Sequence, residues 1–324
     1  MTAVNIPALQ NQLIERRERL ERTAKYVPDP DKLYSLLQQV DSALERIDNG
    51  SYGICTVCHD PIEEDRLLVD PLITVCLDHL NHHQRKALEQ DLEFAIKIQR
   101  NLLPENNITS GGWDFSYRYE PAGHVSGDFC DFIRLKDESV LFVIGDVSGK
   151  GISASLMMTH LHALIRSLLS FNFTVNEIVQ KVNRLFCEST LSTHYATMVI
   201  GRASKNGDIE VSIAGHNPPF VVRNGKLSTL NATGVPVGLF CQSEYDVIKL
   251  NLQKDQSLFL FTDGLTEASV NEAEYGEERV KAQLIKSSGH SSKLIIDELM
   301  SDHQKYLNGS AKLDDVTIAA LRRI

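Results

Sequence analysis

Long apolar runs and a surplus of positive charge are both missing from this chain of 324 residues. No apolar stretch reaches the roughly 18 residues that a membrane-spanning helix requires, and the N-terminal residues lack the apolar centre of a signal peptide. Lys and Arg number 33 against 43 Asp and Glu, which gives a net charge of −10 and argues against nucleic-acid binding. We therefore expect a soluble, cytoplasmic protein with neither a membrane nor a nucleic-acid partner.

Cysteine is also scarce, with six in the chain, so a disulfide framework is not expected. Three of the six, Cys55, Cys58 and Cys76, lie close together in the sequence, a distribution that indicates a metal site in a cytoplasmic protein. The other three are scattered through apolar or mixed sequence and are expected to be ordinary small buried residues. They are Cys130, Cys187 and Cys241.

The hydrophobic pattern divides the chain into helical and β-rich parts. Leucines at three- and four-residue steps predict a helical hairpin over 1–49 and a linker helix over 81–104. The irregular segment 50–80 between them contains the cysteine cluster. Over 105–324, short β-rich runs come in consecutive series around a helical block, which favours antiparallel sheets. Type I′ hairpin turns are predicted at two Asn-Gly pairs, Asn206-Gly207 and Asn224-Gly225.

Two pairs of candidate metal ligands lie in the irregular segment. Two residues separate Cys55 from Cys58, and two separate Cys76 from His79, which is the spacing of chelating pairs in structural zinc sites. Because the segment has few large apolar side chains, a bound ion would supply much of its folding free energy. The three thiolates and one imidazole predict a single structural Zn²⁺ site with no open position for catalysis.

The sequence around this site resembles the zinc finger of the DksA/TraR family. The resemblance covers about residues 41–80, including ALERIDNGSYGICTVCHDPIEEDRLLVDPLITVCLDHL, and departs from the family at His79, where a cysteine is usual. In that family the finger lies beside a long coiled coil that can enter a channel of RNA polymerase. The resemblance implies an alternative function, a non-catalytic transcription regulator acting on RNA polymerase. The predicted hairpin arms, roughly 30 Å long at about 20 residues each, are short for that role.

Acidic residues at the ends of strand-like runs are the candidates for chemistry in the later part of the chain. They lie in SGDFCDF, IGDVSGKG, FTDGLTEA and LDDVT, and any one of them is readily explained as a turn residue. Two carboxylates about 4 Å apart repel by roughly 4 kcal/mol at an effective dielectric constant of about 20, and a shared divalent cation removes that penalty. Hard oxygen ligands predict Mg²⁺ or Mn²⁺. The candidate ligands are Asp128, Asp146, Asp263, Asp314 and Asp315.

Seven ordered segments resemble the PPM-type serine/threonine protein phosphatases of the bacterial SpoIIE/RsbU class. They are SGDFCDF, IGDVSGKGISASL, YATMVIG, AGHNPP, GVPVGLF, LFLFTDGLTEA and LDDVTIAALR, and the resemblance covers about residues 105–324. It implies an α+β fold, an α-β-β-α sandwich of two antiparallel sheets, preceded in this chain by the helical hairpin and the zinc finger. It also implies a site for two Mn²⁺ or Mg²⁺ ions at one edge of the sheets.

The same resemblance assigns roles to individual residues. Asp146 would bridge both ions, and the carbonyl of Val147 would be a backbone ligand. Asp128 and Asp263 would hold one or both ions, so the three aspartates are the expected catalytic residues. Asp314, or else Asp315, would be a further ligand. The larger family often grips phosphate with an arginine that has no match here, and Lys150 is the candidate to replace it in substrate binding. His216 is expected to be a structural residue or one at the edge of the substrate-binding site rather than a metal ligand.

The implied activity is hydrolysis of phosphoserine or phosphothreonine on a regulatory protein by a metal-activated water. In this class the substrate is a phosphorylated anti-sigma-factor antagonist of the STAS type, within a partner-switching pathway. The linker helix has a narrow apolar stripe that suits a two-helix seam, so we also expect a homodimer formed through residues 81–103. The stripe consists of Leu88, Leu92, Ile96 and Leu103.

Overall fold

The computed structural model describes residues 6–24, 31–80, 82–190, 194–231, 234–271, 273–310 and 312–324. The turn expected within the N-terminal hairpin falls outside these residues. The chain divides into two compact units, Met1–Asp91 and Leu92–Ile324, which are described separately. Within the described residues, every helix is too short or too polar to cross a membrane.

The first unit is a small helical assembly built around the cysteine cluster. Two predicted helices form, α1 (Ile6–Ala24) and α2 (Asp31–Asp48), followed by the short α3 (Glu64–Val69) and a 3-10 turn, Leu77–His79. The finger segment does not depend on the metal alone, because its apolar side chains share one core with α1 and α2. That core contains Leu9, Leu13, Val40, Ala43, Tyr52, Cys55, Ile62, Leu67 and Cys76.

The second unit contains two large antiparallel sheets. The five-stranded sheet has the order β3-β4-β5-β6-β9, with strands Phe129–Arg134, Val140–Val147, Ala196–Ala203, Asp208–Ala214 and Ile248–Asn251. The six-stranded sheet has the order β1-β2-β13-β10-β7-β8, with strands Ile108–Ser110, Trp113–Glu120, Val316–Arg323, Ser257–Phe261, Phe220–Arg223 and Lys226–Thr229. A small hairpin is formed by β11 (Ser269–Val270) and β12 (Ala273–Glu274).

Helices cover the outer face of each sheet. The helices α5 (Gly151–Leu168) and α6 (Val175–Ser189) pack on the five-stranded sheet, and α7 (Glu277–Lys286) and α8 (Ser292–Leu307) pack on the six-stranded sheet. Alternation along β4 shows why both faces are buried: Phe142 joins the core between the sheets and Leu141 joins the core under α5 and α6. The predicted α-β-β-α sandwich is confirmed.

The linker helix α4 (His82–Leu102) differs from the expected free seam. Gln99 is buried, and Leu103, just beyond the helix, packs against the core between the sheets, so the end of the stripe is used within the chain. The apolar side chains that remain most exposed on the second unit's part of this helix are Phe94, at 66%, and Ile98, at 42%. A partner helix would therefore meet Phe94 and Ile98 rather than the end of the predicted stripe.

Both predicted hairpins form, but the predicted turn type is wrong at one of them. At Asn224-Gly225 both residues have positive φ, 50° and 74°, as a type I′ turn between β7 and β8 requires. At the other pair only Gly207 has positive φ, at 94°, and the connection from β5 to β6 is longer, closed by a hydrogen bond from Ser204 N–H to the Asp208 carbonyl. The longer loop needs a left-handed residue at one position only.

The expectation for two of the scattered cysteines is also wrong. Cys130 is fully buried as predicted, but Cys187 of α6 is half-buried and Cys241 is exposed. These two form a disulfide between residues 54 positions apart, with their Cα atoms separated by 5.4 Å. Sequence spacing does not reveal this pairing, because α6 and the segment around Cys241 come together only in the folded unit.

Candidate metal centres

The predicted zinc ligands converge in the first unit. One ligand atom from each of Cys55, Cys58, Cys76 and His79 lies within 4.8 Å of the others, and this is the only such set of three or more among the described residues. The Cys76 sulfur is 3.1 Å from Nδ1 of His79. Burial favours the neutral Cys55 thiol, but backbone N–H groups around it outweigh burial and lower its pKa to about 6. Three soft sulfur ligands and one imidazole fit a closed tetrahedral Zn²⁺ site.

The predicted carboxylates converge at one end of the sandwich in the second unit. In the five-stranded sheet, Asp128 immediately precedes β3 and Asp146 lies near the end of β4, its antiparallel neighbour. In the six-stranded sheet, Asp263 follows β10 and Asp314 precedes β13, which is again an antiparallel neighbour. Neighbouring antiparallel strands therefore place two carboxylates at the same end of each sheet, and hydrogen bonds from Thr262 and Thr317 to Asp128 join the two ends.

Asp128 is the most deeply buried of these carboxylates, at 1% exposure. Its Oδ2 accepts hydrogen bonds from the hydroxyls of Thr262 at 2.8 Å and Thr317 at 2.6 Å, which fixes the orientation of the carboxyl group. Burial, reinforced by the charge of Asp146, raises its pKa well above the usual value. The two threonines come from the six-stranded sheet, so these hydrogen bonds join the two sheets at the site.

Nearby carboxylates also destabilise the ionised forms of Asp146 and Asp263. Burial raises the pKa of Asp146 to about 7, and the charges of Asp263 and Asp314 add to this effect. Burial and Asp314 also raise the pKa of Asp263. Among the described residues, no three of these carboxylates lie within 4.8 Å of one another, unlike the zinc ligands. Hard oxygen donors that destabilise one another without a cation fit Mg²⁺ or Mn²⁺.

The two neighbouring aspartates before β13 have different surroundings. The Oδ2 of Asp314 lies 2.9 Å from Nζ of Lys150, and its charge acts on the other carboxylates. Asp315 instead accepts hydrogen bonds from the backbone N–H groups of Ala122, at 2.7 Å, and Gly127, at 3.1 Å. Oδ1 of Asp314 also accepts a hydrogen bond from the Asp315 N–H, at 2.9 Å, and the charge of Asp315 acts on Asp128 and Asp146. Asp314 is the preferred ligand of the two, because both oxygens of Asp315 hold the loop that precedes Asp128.

The carbonyl of Val147, the predicted backbone ligand, lies against Gly127. A Cβ atom added at Gly127 would be only 2.8 Å from that carbonyl oxygen and 3.4 Å from Oδ1 of Asp146. The Val147 N–H also donates to the Gly127 carbonyl, at 3.3 Å. Glycine at 127 therefore allows the loop before Asp128 to approach the end of β4 closely.

The two predicted substrate residues differ in accessibility. The side chain of Lys150 is 63% exposed beside Asp314, so it can reach a bound anion. His216 is only 7% exposed, and its Nδ1 lies 2.8 Å from the hydroxyl of Thr197, the residue that pairs with Asp146 across β4 and β5. Burial lowers the pKa of His216 to about 4, so the ring is neutral at pH 7. Its position suits support of the strand better than contact with phosphate.

Sequence reasoning missed the residues that hold the ligands. Gln99 of α4 donates to the Ser126 carbonyl at 2.7 Å and accepts from the Ser126 N–H at 3.1 Å. In the sequence, the residues around Gln99 indicated only an apolar stripe along the linker helix. Thr262 and Thr317 stand beside predicted ligands within FTDG and DDVT, which is the one signal that could have identified them.

The first prediction concerns the zinc site. Cys55→Ser should release Zn²⁺ and loosen α1 and α2 as well as the finger, because they share a core. His79→Cys is the matched control and should keep the metal, since a set of four thiolates also binds Zn²⁺. Elemental analysis and helical circular dichroism measure both effects. Zinc content that is unchanged in Cys55→Ser would contradict the assignment.

The second prediction concerns the close approach at Gly127. Gly127→Ala should weaken Mn²⁺ binding by about 10-fold, because the new methyl group pushes the Val147 carbonyl out of place. Gly123→Ala, in the same loop, is the control, since its nearest neighbour would lie at an ordinary 3.7 Å. Calorimetric titration of the two variants with Mn²⁺ measures the difference. Equal affinities would show that this contact does not position a ligand.

Two family models match this chain in different ranges. Residues 136–324 match the family Stage II sporulation protein E (SpoIIE), and residues 50–78 match the prokaryotic dksA/traR C4-type zinc finger. The chain is 29% identical to Protein IcfG of Synechocystis sp. over 72% of its own length and 41% of that protein's length. It is 26% identical to phosphoserine phosphatase RsbU of Bacillus subtilis, covering 79% of this chain and 78% of RsbU.

A solved structure gives the same fold. The SiaA-PP2C domain of Pseudomonas aeruginosa superposes with a TM-score of 0.65 at 18% identity, covering 74% of this chain and 98% of that domain. At this identity the likeness establishes the architecture only. The SpoIIE match, however, extends over more than half of the residues and includes Asp146, Asp263 and Asp314. This chain therefore belongs to the Stage II sporulation protein E (SpoIIE) family, with a zinc finger of the dksA/traR type at residues 50–78.

Proposed function

We propose that this protein is a Mn²⁺- or Mg²⁺-dependent phosphatase acting on phosphoserine or phosphothreonine in another protein. The observation that carries the proposal is the convergence of Asp128, Asp146, Asp263 and Asp314 at one end of the sandwich, where the strand order pairs them within each sheet and Thr262 and Thr317 join Asp128 to the other sheet. The named activity of the relative RsbU supports the same chemistry. A scaffold without catalysis would have no need for a group of mutually repelling carboxylates, one of them fully buried.

Each residue of the site has a proposed role in the reaction. Two bound ions would lower the pKa of a shared water and neutralise the phosphate oxygens. Asp146 lies at the centre, because the charges of Asp263 and Asp314 both act on it, so it is the proposed bridging ligand. Asp128, Asp263, Asp314 and the Val147 carbonyl would complete the two coordination shells. Lys150, whose Nζ donates to the Leu313 carbonyl, stands at the rim, where it can orient the incoming phosphate.

A protein substrate suits the surface beside the site. An open hollow of about 440 Å³ adjoins Lys150 and is lined mainly by apolar groups, among them Leu92, Val125 and Ile152. Such a surface matches the side chains of a folded partner better than a small, highly charged phosphate ester. We therefore propose a phosphorylated STAS-type anti-sigma-factor antagonist as the substrate, as in the partner-switching pathways of the SpoIIE/RsbU class.

We further propose that the linker helix α4 mediates a homodimer and regulates the site. Phe94 and Ile98 are four residues apart and exposed, as the contact positions of a two-helix seam would be in the single chain. Next to Ile98, Gln99 holds both backbone groups of Ser126, and the Ser126 hydroxyl accepts a hydrogen bond from the Asp128 N–H at 3.0 Å. A shift of α4 would thus move the segment that carries Asp128.

The third prediction tests the activity. Asp146→Asn should lower Mn²⁺-dependent hydrolysis of p-nitrophenyl phosphate by at least about 100-fold, because it removes the central negative charge while keeping the shape. Asp137→Asn, in the surface turn before β4, is the control and should retain wild-type turnover. If the wild type shows no metal-dependent hydrolysis, the alternative of a non-catalytic regulator of RNA polymerase gains support. Near-wild-type turnover in Asp146→Asn would refute the assigned bridging role.

The fourth prediction tests the seam. Phe94→Glu should weaken dimerisation by about tenfold or more, because it places an unpaired charge in the proposed contact. It should also raise the Mn²⁺ concentration needed for half-maximal activity. Arg100→Glu changes the charge of an exposed residue elsewhere on α4 and serves as the control. Sedimentation velocity and metal titrations measure the two effects; a monomeric wild type at tens of micromolar would rule out the proposed dimer.

A further inference from the structure

The disulfide between Cys187 and Cys241 is the one covalent cross-link among the described residues, and it is open to solvent. Cys241 is exposed and Cys187 half-buried, whereas Cys130 is fully buried and the other three cysteines belong to the candidate zinc site. Disulfides that solvent thiols can reach exchange readily, and in cytosolic proteins they tend to be transient or regulatory. Each feature favours a reversible pair over a permanent structural cross-link.

Cys241 directly follows the loop 234–240. The backbone of this loop pairs with the start of β5, next to the proposed metal-binding edge. Val237 exchanges two hydrogen bonds with Ala196, at 2.7 and 2.8 Å, and Ala196 is opposite Val147 in the β4–β5 pairing. The loop backbone is thus one strand removed from the carbonyl of Val147. Any change in how firmly the loop is held is transmitted to the end of β5 and from there to Val147.

Two anchors fasten this loop to α6. The side chain of Asn183 donates to the Phe240 carbonyl at 2.9 Å and accepts from the Gly238 N–H at 2.8 Å. One helical turn further along α6, Cys187 makes the covalent bond to Cys241. The hydrogen bonds of Asn183 do not depend on redox state, whereas the disulfide bond does.

We infer that Cys187 and Cys241 form a redox modification site that takes a disulfide oxidant such as glutathione disulfide and tunes the binding of metal at the neighbouring edge. In the forward step the two thiols lose two protons and two electrons, the Cys187–Cys241 bond forms, and the oxidant is released as two thiols. A thiol reductant reverses the step. The oxidised form fixes the loop on α6, and the reduced form leaves it held by Asn183 and the Ala196 pairing. The effect on metal binding rests on the proposed function; the redox pair itself does not.

The redox pair is tested by labelling full-length protein with iodoacetamide under denaturing conditions after equilibration in glutathione buffers of increasing oxidation. Intact mass should show two fewer labels in oxidised than in reduced wild type, and peptide mapping should place both at Cys187 and Cys241. The melting temperature of the oxidised form should be higher by roughly 5–10 °C, because the bond closes a long loop. The Cys187→Ser/Cys241→Ser double variant should show neither change.

The effect on the metal site is tested by titrating Mn²⁺ into oxidised and reduced protein, with calorimetry and p-nitrophenyl phosphate hydrolysis as parallel readouts. Reduction should raise the half-saturating Mn²⁺ concentration about threefold or more. The double variant should have the Mn²⁺ affinity of the reduced form in either buffer. If reduction instead weakened Mn²⁺ binding as much in the double variant as in the wild type, the effect would come from the zinc thiols and the inference would be overturned.

Each part of the inference has its own contrary result. Full labelling of both cysteines in every buffer would overturn the redox site, and an unchanged Mn²⁺ affinity on clean disulfide formation would overturn the coupling. An absence of hydrolysis in both redox states, with Mn²⁺ bound, would instead refute the proposed phosphatase activity. In that case labelling, melting and calorimetry would still decide the redox inference.

Discussion

The mutual repulsion of buried carboxylates is the constraint on which the rest of the catalytic unit depends. Burial and the charge of Asp146 disfavour the ionised form of Asp128, and burial with the charge of Asp263 does the same to Asp146. Only a rigid surrounding structure can keep such groups together. The two sheets provide it, since neighbouring antiparallel strands deliver the carboxylates to one edge and the hydroxyls of Thr262 and Thr317 tie Asp128 of one sheet to the other sheet. Divalent cations would turn this unfavourable arrangement into a stable one.

The loop before Asp128 is where three parts of the fold meet. Asp315 binds its backbone from the β13 side, Gln99 binds it from α4, and Gly127 lies directly against Val147 at the end of β4. These contacts hold the backbone of the loop, and each bears on the position of a proposed metal ligand, Asp128 or the Val147 carbonyl. Ligand geometry can therefore be changed from outside the site, either through α4 or through the strand that pairs with β4.

Sequence patterns predicted the antiparallel sheets and the candidate ligands for different reasons, whereas the sandwich was implied by the family resemblance. Strand runs and turn signals report burial and local conformation, so the order of helices and strands could be read directly. Asp146 and Asp263 stood out because acidic residues beside glycine at strand ends are chemically unusual as a set. Gln99 did not, since a single polar residue in an apolar stripe has no distinguishing spacing.

The two errors share one physical cause, which is that spacing along the chain does not describe approach in space. The partner of Cys187 is 54 residues away, and only the packing of α6 against the loop before Cys241 brings the sulfurs together. At Asn206-Gly207 the favoured dipeptide is present, but the register of β5 with β6 leaves a longer connection than a two-residue turn would close.

The end of the linker helix shows how the catalytic edge can be regulated without any change at the ligands themselves. The buried amide of Gln99 contacts the Ser126 backbone, two residues before Asp128, and its Nε2 also lies 3.2 Å from the hydroxyl of Ser155 on α5. Leaving a buried amide without hydrogen-bond partners costs free energy, so Gln99 is expected to keep its contacts. The loop would then follow any movement of the helix. Lys150, the proposed phosphate contact, is held instead by Asp314 and the Leu313 carbonyl. Gln99 is hydrogen-bonded to neither of these groups. A displacement of this helix would therefore reach the proposed metal site through Gln99, and it would also change the proposed substrate surface, because Leu92 of α4 lines the hollow beside Lys150.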